Sequence, residues 1–222
     1  MKFITKDTFD HVVLGQCILR FKVPLEIFTT LNDVYESKKK ELPNATKALA
    51  GKIVDEKSLL YNGEDTSRMG RHNFLSQDVL QWFEQIFREY LTFTHTQKHS
   101  MKLFAIWVNE MKAGEYNPIH VHQGSVYTGL SSVMILKLPK DYGPEISRSD
   151  QPMNGRLQIF GTGGGQFAKT DYAPEVRIGD FFVFPYDMRH CVYPFFNKKE
   201  KRRTLVCNMD VEYAVVASRN TS

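Results

Sequence analysis

The sequence predicts a mainly β fold with flanking α-helices, and three observations carry that expectation. From Lys102 onward the pattern is strand, turn, strand, with most glycines and prolines in the turns. Helical periodicity is confined to two stretches of the first half. At 222 residues, 42% apolar and 13% aromatic, the chain can bury a good core, and all-β folds of that size are commonly one domain.

In chain order, residues 17–23 alternate apolar and polar side chains as a half-buried strand does. Pro24 opens a helix whose inner face holds Ile27, Phe28, Leu31, Val34 and Tyr35, and which ends in the solvated run Lys38-Lys39-Lys40-Glu41. Residues 44–73 show little periodicity and read as irregular, with 48–53 as a buried patch. Ser76 is placed to cap a second helix, with Val79, Phe83, Ile86, Phe87, Tyr90 and Leu91 facing inward. His95 and His99 fall in a linker. Residues 102–111 alternate as a strand, with Phe104, Ile106 and Val108 on one face and Trp107 and Asn109 on the other. Further strands are expected at 131–138, 156–160, 176–184 and 204–211, giving an antiparallel barrel or sandwich with both helices on one outer face. Residues 1–100 then form a helical and irregular support, residues 102–212 the core of a single domain spanning 1–222, and 218–222 a disordered tail.

The composition narrows the functional classes. A net charge of +4 without a concentrated basic face gives no reason to expect a nucleic-acid partner. No apolar run approaches the length of a membrane span, and residues 1–7 lack a signal-peptide core, so a cytoplasmic protein is expected. Cys17, Cys191 and Cys207 have no paired spacing and read as reduced thiols, Cys191 as a small buried hydrophobe. The sequence leaves the oligomeric state open.

The chemistry gathers around Asn117-Pro118-Ile119-His120-Val121-His122. His120 and His122 stand two apart, so on an extended segment both imidazoles leave one face and can reach one ion. His190 returns from a distant strand, after the turn and apolar run Gly179-Asp180-Phe181-Phe182-Val183-Phe184-Pro185. Neutral imidazole is the commonest protein ligand for first-row metals.

Together, His120-x-His122 and the segment from Gly179 through Pro185 to His190 resemble the two metal motifs of double-stranded β-helix proteins, the jelly-roll, cupin-like superfamily. The stretch 130–139 after the histidine pair, and Arg202-Arg203-Thr204-Leu205-Val206-Cys207-Asn208, narrow the resemblance to the prolyl-hydroxylase-like branch of the iron(II)/2-oxoglutarate-dependent oxygenases, over residues 102–212. That resemblance implies a double-stranded β-helix core and iron(II) held by His120, His122 and His190. It implies 2-oxoglutarate and O2 as co-substrates, with ascorbate as an auxiliary reductant. Arg202 and Thr204 match the basic and hydroxyl residues with which the family holds the far carboxylate of 2-oxoglutarate. On a strand the two share a face, and an arginine fork pairs bidentately with a carboxylate. The implied activity is hydroxylation of a prolyl-like protein side chain, with a peptide, protein or small molecule as substrate.

One departure stands out. The family usually supplies two histidines and a carboxylate, and here His122 occupies the carboxylate's place. Asp187 is a second candidate for that carboxylate, although it reads more simply as a turn residue. Three imidazoles also suit a different protein, a cupin-like divalent-metal binder without oxygenase activity. Arg203 competes with Arg202 for the carboxylate role, and register favours Arg202 because only it shares a face with Thr204. Gly161-Thr162-Gly163-Gly164-Gly165 has no helical pattern after it and reads as a flexible loop at the barrel mouth rather than a phosphate cradle. Asn109, Tyr116, Tyr127 and Arg189 flank the histidines as candidate substrate contacts.

Overall fold

Two sheets of unequal size enclose the site. The structure is a computed structural model that describes residues 15–46, 49–64, 69–94, 96, 98–145, 147, 150–166 and 168–213. In order the elements are β1 (Leu19–Lys22), α1 (Leu25–Lys38), β2 (Asp55–Tyr61), β3 (His72–Asn73), α2 (Gln77–Phe93), β4 (His99–Met111), β5 (Asn117–His120) and β6 (Gly129–Lys137). They continue with β7 (Leu157–Phe160), β8 (Asp171–Tyr172), β9 (Asp180–Pro185), β10 (Arg189–Val192) and β11 (Arg202–Tyr213). The seven-stranded sheet runs β1-β9-β6-β11-β4-β2-β3 and the four-stranded sheet β5-β10-β7-β8. All of these pairings are antiparallel. From β4 to β11 the chain winds between the sheets as a double-stranded β-helix, so the jelly-roll core expected from the sequence is present. Among the described residues no helix is long and apolar enough to cross a membrane.

β9 explains why Phe181-Phe182-Val183-Phe184 is apolar without interruption. Phe181 and Val183 face the helices, while Phe182 and Phe184 face the second sheet, so both sides of the strand are buried. On the helix side, Val79, Phe83, Phe87 and Leu91 of α2 join Ile106, Val108, Met134 and Leu205 in one cluster. The Trp82 and Phe83 rings lie 5.5 and 5.8 Å from Phe181. Between the sheets, Val133, Ile135, Leu157, Ile159 and Val192 close a second core with Phe182 and Phe184. Both helices thus cover one outer face, as the periodicity predicted.

Several expectations need correction. Residues 44–73 are not simply irregular, because β2 pairs with β4 and β3 with β2. Of the patch at 48–53, Ile53 is buried whereas Ala50 is exposed. Phe104 does not join Ile106 and Val108. Ala105 pairs with Asn208 and Leu103 with Met209, leaving Phe104 as an extra residue in a bulge that puts Leu103 in the helix-side core and Phe104 with Trp107. His99 begins β4 rather than lying in a linker, and His95 and residues 218–222 lie outside the described residues. Lys39 is not a solvated helix end, since its ammonium reaches Asp55 and Glu110 at 2.7 and 2.8 Å and sits over the Tyr35 ring.

Two buried carboxylates pin the larger sheet, Glu110 on its helix-covered face and Asp180 on the face that turns toward the second sheet. Asp180 accepts from Arg20 at 2.5 Å and from Lys22, both on the edge strand β1. Glu110, 1% exposed, is held by Lys39, Lys201 and Arg203. Burial would raise the Glu110 pKa, but hydrogen bonds from Lys201, Lys39 and Arg203 overcome it and hold the group down at about 2. Its stabilisation is therefore complete above the ordinary value of 4.5 and is lost as pH falls toward about 2. Glu110→Ala leaves the Arg203 guanidinium buried without its main partner, and urea unfolding at neutral pH is expected to show a loss of about 3–5 kcal/mol. That difference should shrink in the same measurement at acid pH.

Candidate metal centre and co-substrate pocket

β5 and β10 are antiparallel neighbours in the smaller sheet, and their register sets His120 opposite His190. His190 thus lies on a strand of its own, after the Tyr186-Asp187 turn, rather than at the end of β9. His122 follows β5, with its backbone N–H donating to the Tyr186 carbonyl at 2.9 Å. The ligand-capable atoms of the three rings all lie within 4.8 Å of one another.

The proton positions follow from the partners. The Nδ1 atoms of His120 and His190 face the carbonyls of Pro118 and Met188 at 2.8 and 3.0 Å. A carbonyl only accepts, so each Nδ1 carries the hydrogen and each Nε2 presents a lone pair. Nε2 of His122 stands 3.1 Å from Nε2 of His190. Two imidazoles about 2.1 Å from one ion and roughly at right angles have their nitrogens about 3 Å apart, so this pair is spaced to share an ion. Burial lowers the pKa of all three histidines, that of His190 to about 3, and the neighbouring rings push His122 and His190 further down. Neutral imidazole, the metal-binding form, is the state this environment favours.

His122 has a support that the sequence did not reveal. Asn208 Nδ2 lies 3.3 Å from His122 Nδ1, and Ser131 Oγ lies 2.8 Å from Asn208 Oδ1. A metal on His122 Nε2 requires a hydrogen on Nδ1 and hence an acceptor beside it. Turning the carboxamide over supplies Oδ1 to His122 and Nδ2 to the Ser131 hydroxyl, with the heavy atoms in place.

A cavity of ≈ 290 Å³ opens beside the histidines, with Thr204 and Asn208 of β11, Trp107 and Asn109 of β4, and Glu56 of β2 among its walls. Arg202 lies behind Thr204 on the same face of β11. Its side chain is buried, and its Nε and Nη2 have no partner. Burial lowers its pKa to about 10, with Tyr142 opposing, so the guanidinium stays charged at neutral pH. A buried cation with idle donors fits a bound carboxylate, and Thr204 adds a hydroxyl on the cavity wall. Arg203 faces the other way, toward Glu110 at 2.5 Å and Glu36 at 2.6 Å, with its guanidinium over Tyr35.

The remaining candidates separate cleanly. Asp187 is exposed, accepts from Gln16 at 2.9 Å and stands outside the histidine cluster. Asn109 lines the cavity, whereas Tyr116, Tyr127 and Arg189 are exposed and do not. Gly161–Gly165 lie in the β7–β8 connection and do not line it either. Cys191 is buried, and burial raises its thiol pKa despite a Tyr193 hydrogen bond.

Comparison with known proteins adds a family. A search of curated protein sequences finds no match. Residues 105–208 match the family described as 2OG-Fe(II) oxygenase. A Pseudomonas putida prolyl-4-hydroxylase structure is similar at 14% identity and TM-score 0.55, over 87% of this chain and 92% of that one. A Trichoplax adhaerens prolyl hydroxylase, in complex with a hypoxia inducible factor oxygen degradation domain peptide fragment, is 12% identical with TM-score 0.52, over 88% and 83%. The non-heme alpha ketoglutarate dependent epimerase SnoN from nogalamycin biosynthesis is 10% identical with TM-score 0.55, over 90% and 79%. At these identities the likeness is one of fold.

Because the His190 pKa is depressed from 6.5 to about 3, stability of the metal-free protein is full above 6.5 and falls as pH drops toward about 3. A melting series from about pH 8 to pH 5 is expected to show this loss, and His190→Gln to reduce it. Added cobalt(II) or zinc(II) at neutral pH is expected to raise the melting temperature of the unaltered chain and not of the variant.

Proposed function

Because the chain belongs, through residues 105–208, to the iron(II)/2-oxoglutarate oxygenase family, we propose that it is a dioxygenase that hydroxylates a prolyl-like protein side chain. The observation that carries this reading is the buried, charged Arg202 with idle donors on the same strand face as Thr204, which lines one cavity with three neutral histidines. The family's requirements are iron(II), 2-oxoglutarate and O2, which supply when bound the oxidising power for an unactivated C–H bond.

The chain's own residues do the positioning. His120 and His190 offer Nε2 because their Nδ1 hydrogens are tied to backbone carbonyls. His122 completes the metal face, with Asn208 and Ser131 setting its tautomer. Three imidazoles leave the centre one unit more positive than two imidazoles and a carboxylate, which strengthens its pull on an anionic co-substrate. Arg202 and Thr204 hold the distant carboxylate, and the apolar packing behind them excludes water. α1, α2 and β1–β3 support the core of what we take to be one domain. The three free cysteines suit a reducing compartment, the cytoplasm.

The prolyl reading is supported by the names of the Pseudomonas and Trichoplax proteins, and the peptide in the latter complex makes a peptide or protein substrate reasonable. The alternative, a cupin-like metal binder without oxygenase activity, accommodates the three imidazoles but gives the buried Arg202 charge no purpose.

With iron(II) and ascorbate, the protein is expected to convert 2-oxoglutarate to succinate, measured with and without proline-containing peptides. Arg202→Met keeps the side-chain volume while removing the charge. It is expected to weaken 2-oxoglutarate binding by about a hundredfold or more, the worth of a charged hydrogen-bonded pair, while cobalt(II) still binds. Calorimetry separates the two, and unaltered 2-oxoglutarate affinity in this variant would remove the reading.

A further inference from the structure

The β2 and β4 wall of the cavity carries polar atoms to which the metal and carboxylate roles proposed above assign no partner. Cross-strand register aligns Glu56 of β2, Asn109 of β4 and Thr204 of β11 in one row, and Ser58, Trp107 and Val206 in the next. All six line the cavity. Thr204 has the co-substrate role proposed above, and the Ser58 hydroxyl is engaged by His72 at 2.8 Å. Three atoms remain: Glu56 Oε2, Asn109 Oδ1 and Trp107 Nε1 are buried and without a hydrogen-bond partner. Orphaned polar groups of this kind are costly in a folded protein and are retained where a ligand completes them.

Their chemistry defines the ligand. Two of the three are acceptor oxygens, and one belongs to a carboxyl group whose residue is 1% exposed. Among the described residues no lysine or arginine pairs with Glu56, in contrast to Glu110 and Asp180, each of which has at least two cations. Burial above all, with the Glu115 carboxylate adding and a Thr46 hydrogen bond opposing, pushes Glu56 up to about 7. The walls beside it are aromatic, with Tyr61 and Phe104 edge to face at 5.5 Å and Trp107 lining the same cavity. Such faces attract cations and pack the alkyl stems that carry them. Arg202, which has no ion-pair partner among the described residues, lies two strands across and one step along the sheet from Glu56, roughly 12 Å away. The surface thus offers a cation to one ligand and an acid to another.

We propose that Glu56, Asn109 and Trp107 form the substrate-recognition pole of the cavity, selecting a peptide that presents a lysyl or arginyl side chain. The cationic nitrogen donates to Glu56 and Asn109. Trp107 Nε1–H donates to a carbonyl of the same peptide. This deepens the hydroxylase reading and rests on it for the reaction, but not for the binding.

The test uses the metal-free protein without 2-oxoglutarate, so that its failure and the failure of the oxygenase reading are separate results. The probes are Nα-acetyl-lysine methylamide and Nα-acetyl-arginine methylamide, with the norleucine analogue as the uncharged control, titrated by calorimetry at neutral pH. At least one cationic probe is expected to bind about tenfold or more tightly than the control, and Glu56→Gln to remove that preference. Equal binding of all three probes, no saturable binding of either cationic one, or a preference unchanged in Glu56→Gln overturns the proposal. Cobalt(II) binding verifies that the variant is folded. If it is not, Trp107→Phe identifies the indole N–H resonance in the unaltered chain. A shift of that resonance with the cationic probe and not with norleucine is then the required outcome, and its absence overturns the proposal.

Discussion

The position of β11 in the middle of the larger sheet imposes a two-faced assignment that the rest of the molecule obeys. Flanked by β4 and β6, the strand is buried on both sides along most of its length. Every second residue must serve the cavity and its floor, and the others the helix-side core. Arg202, Thr204, Val206 and Asn208 take the first role, Leu205, Cys207 and Met209 the second. Arg203 stands among the second set and is tolerable there because Glu110 and Glu36 neutralise it. A slip of one residue would exchange the two arginines and leave Arg202 facing Glu110.

Burial does opposite things to the two kinds of ionisable group at the site. It keeps the histidines neutral and therefore able to act as ligands. It leaves Arg202 charged, because the guanidinium starts so far above neutrality that lowering it to about 10 changes nothing at pH 7. One apolar environment thus yields an uncharged triad with free nitrogen lone pairs and a cationic clamp. That combination suits a metal ion and an anion bound together.

Much of this was legible in the sequence, and the exceptions have physical causes. The period of α2, the two-sided apolar run of β9, the His120-x-His122 pair and the Arg202/Thr204 register could all be read directly, because each obeys its secondary-structure period. β2 could not. Its inward positions begin with Glu56 and Ser58, polar because they line a cavity, so the apolar alternation that announces a strand is missing where the site lies. The bulge at Phe104 inverted one face assignment, since a single extra residue shifts everything before it. Asn208 went unread because its role depends on a partner far away in sequence.

The ends of the larger sheet bear on how the protein keeps company with its own copies. An unpaired strand edge is a template for another chain, and long flat edges invite fibrils. Here one margin is β1, of four residues, whose Arg20 and Lys22 are drawn back onto the buried Asp180 carboxylate. The other margin is β3, of two residues. Among the described residues neither margin offers enough regular backbone for a lasting cross-molecular ladder, so the thick apolar interior of the seven-stranded sheet is not extended by a long open edge.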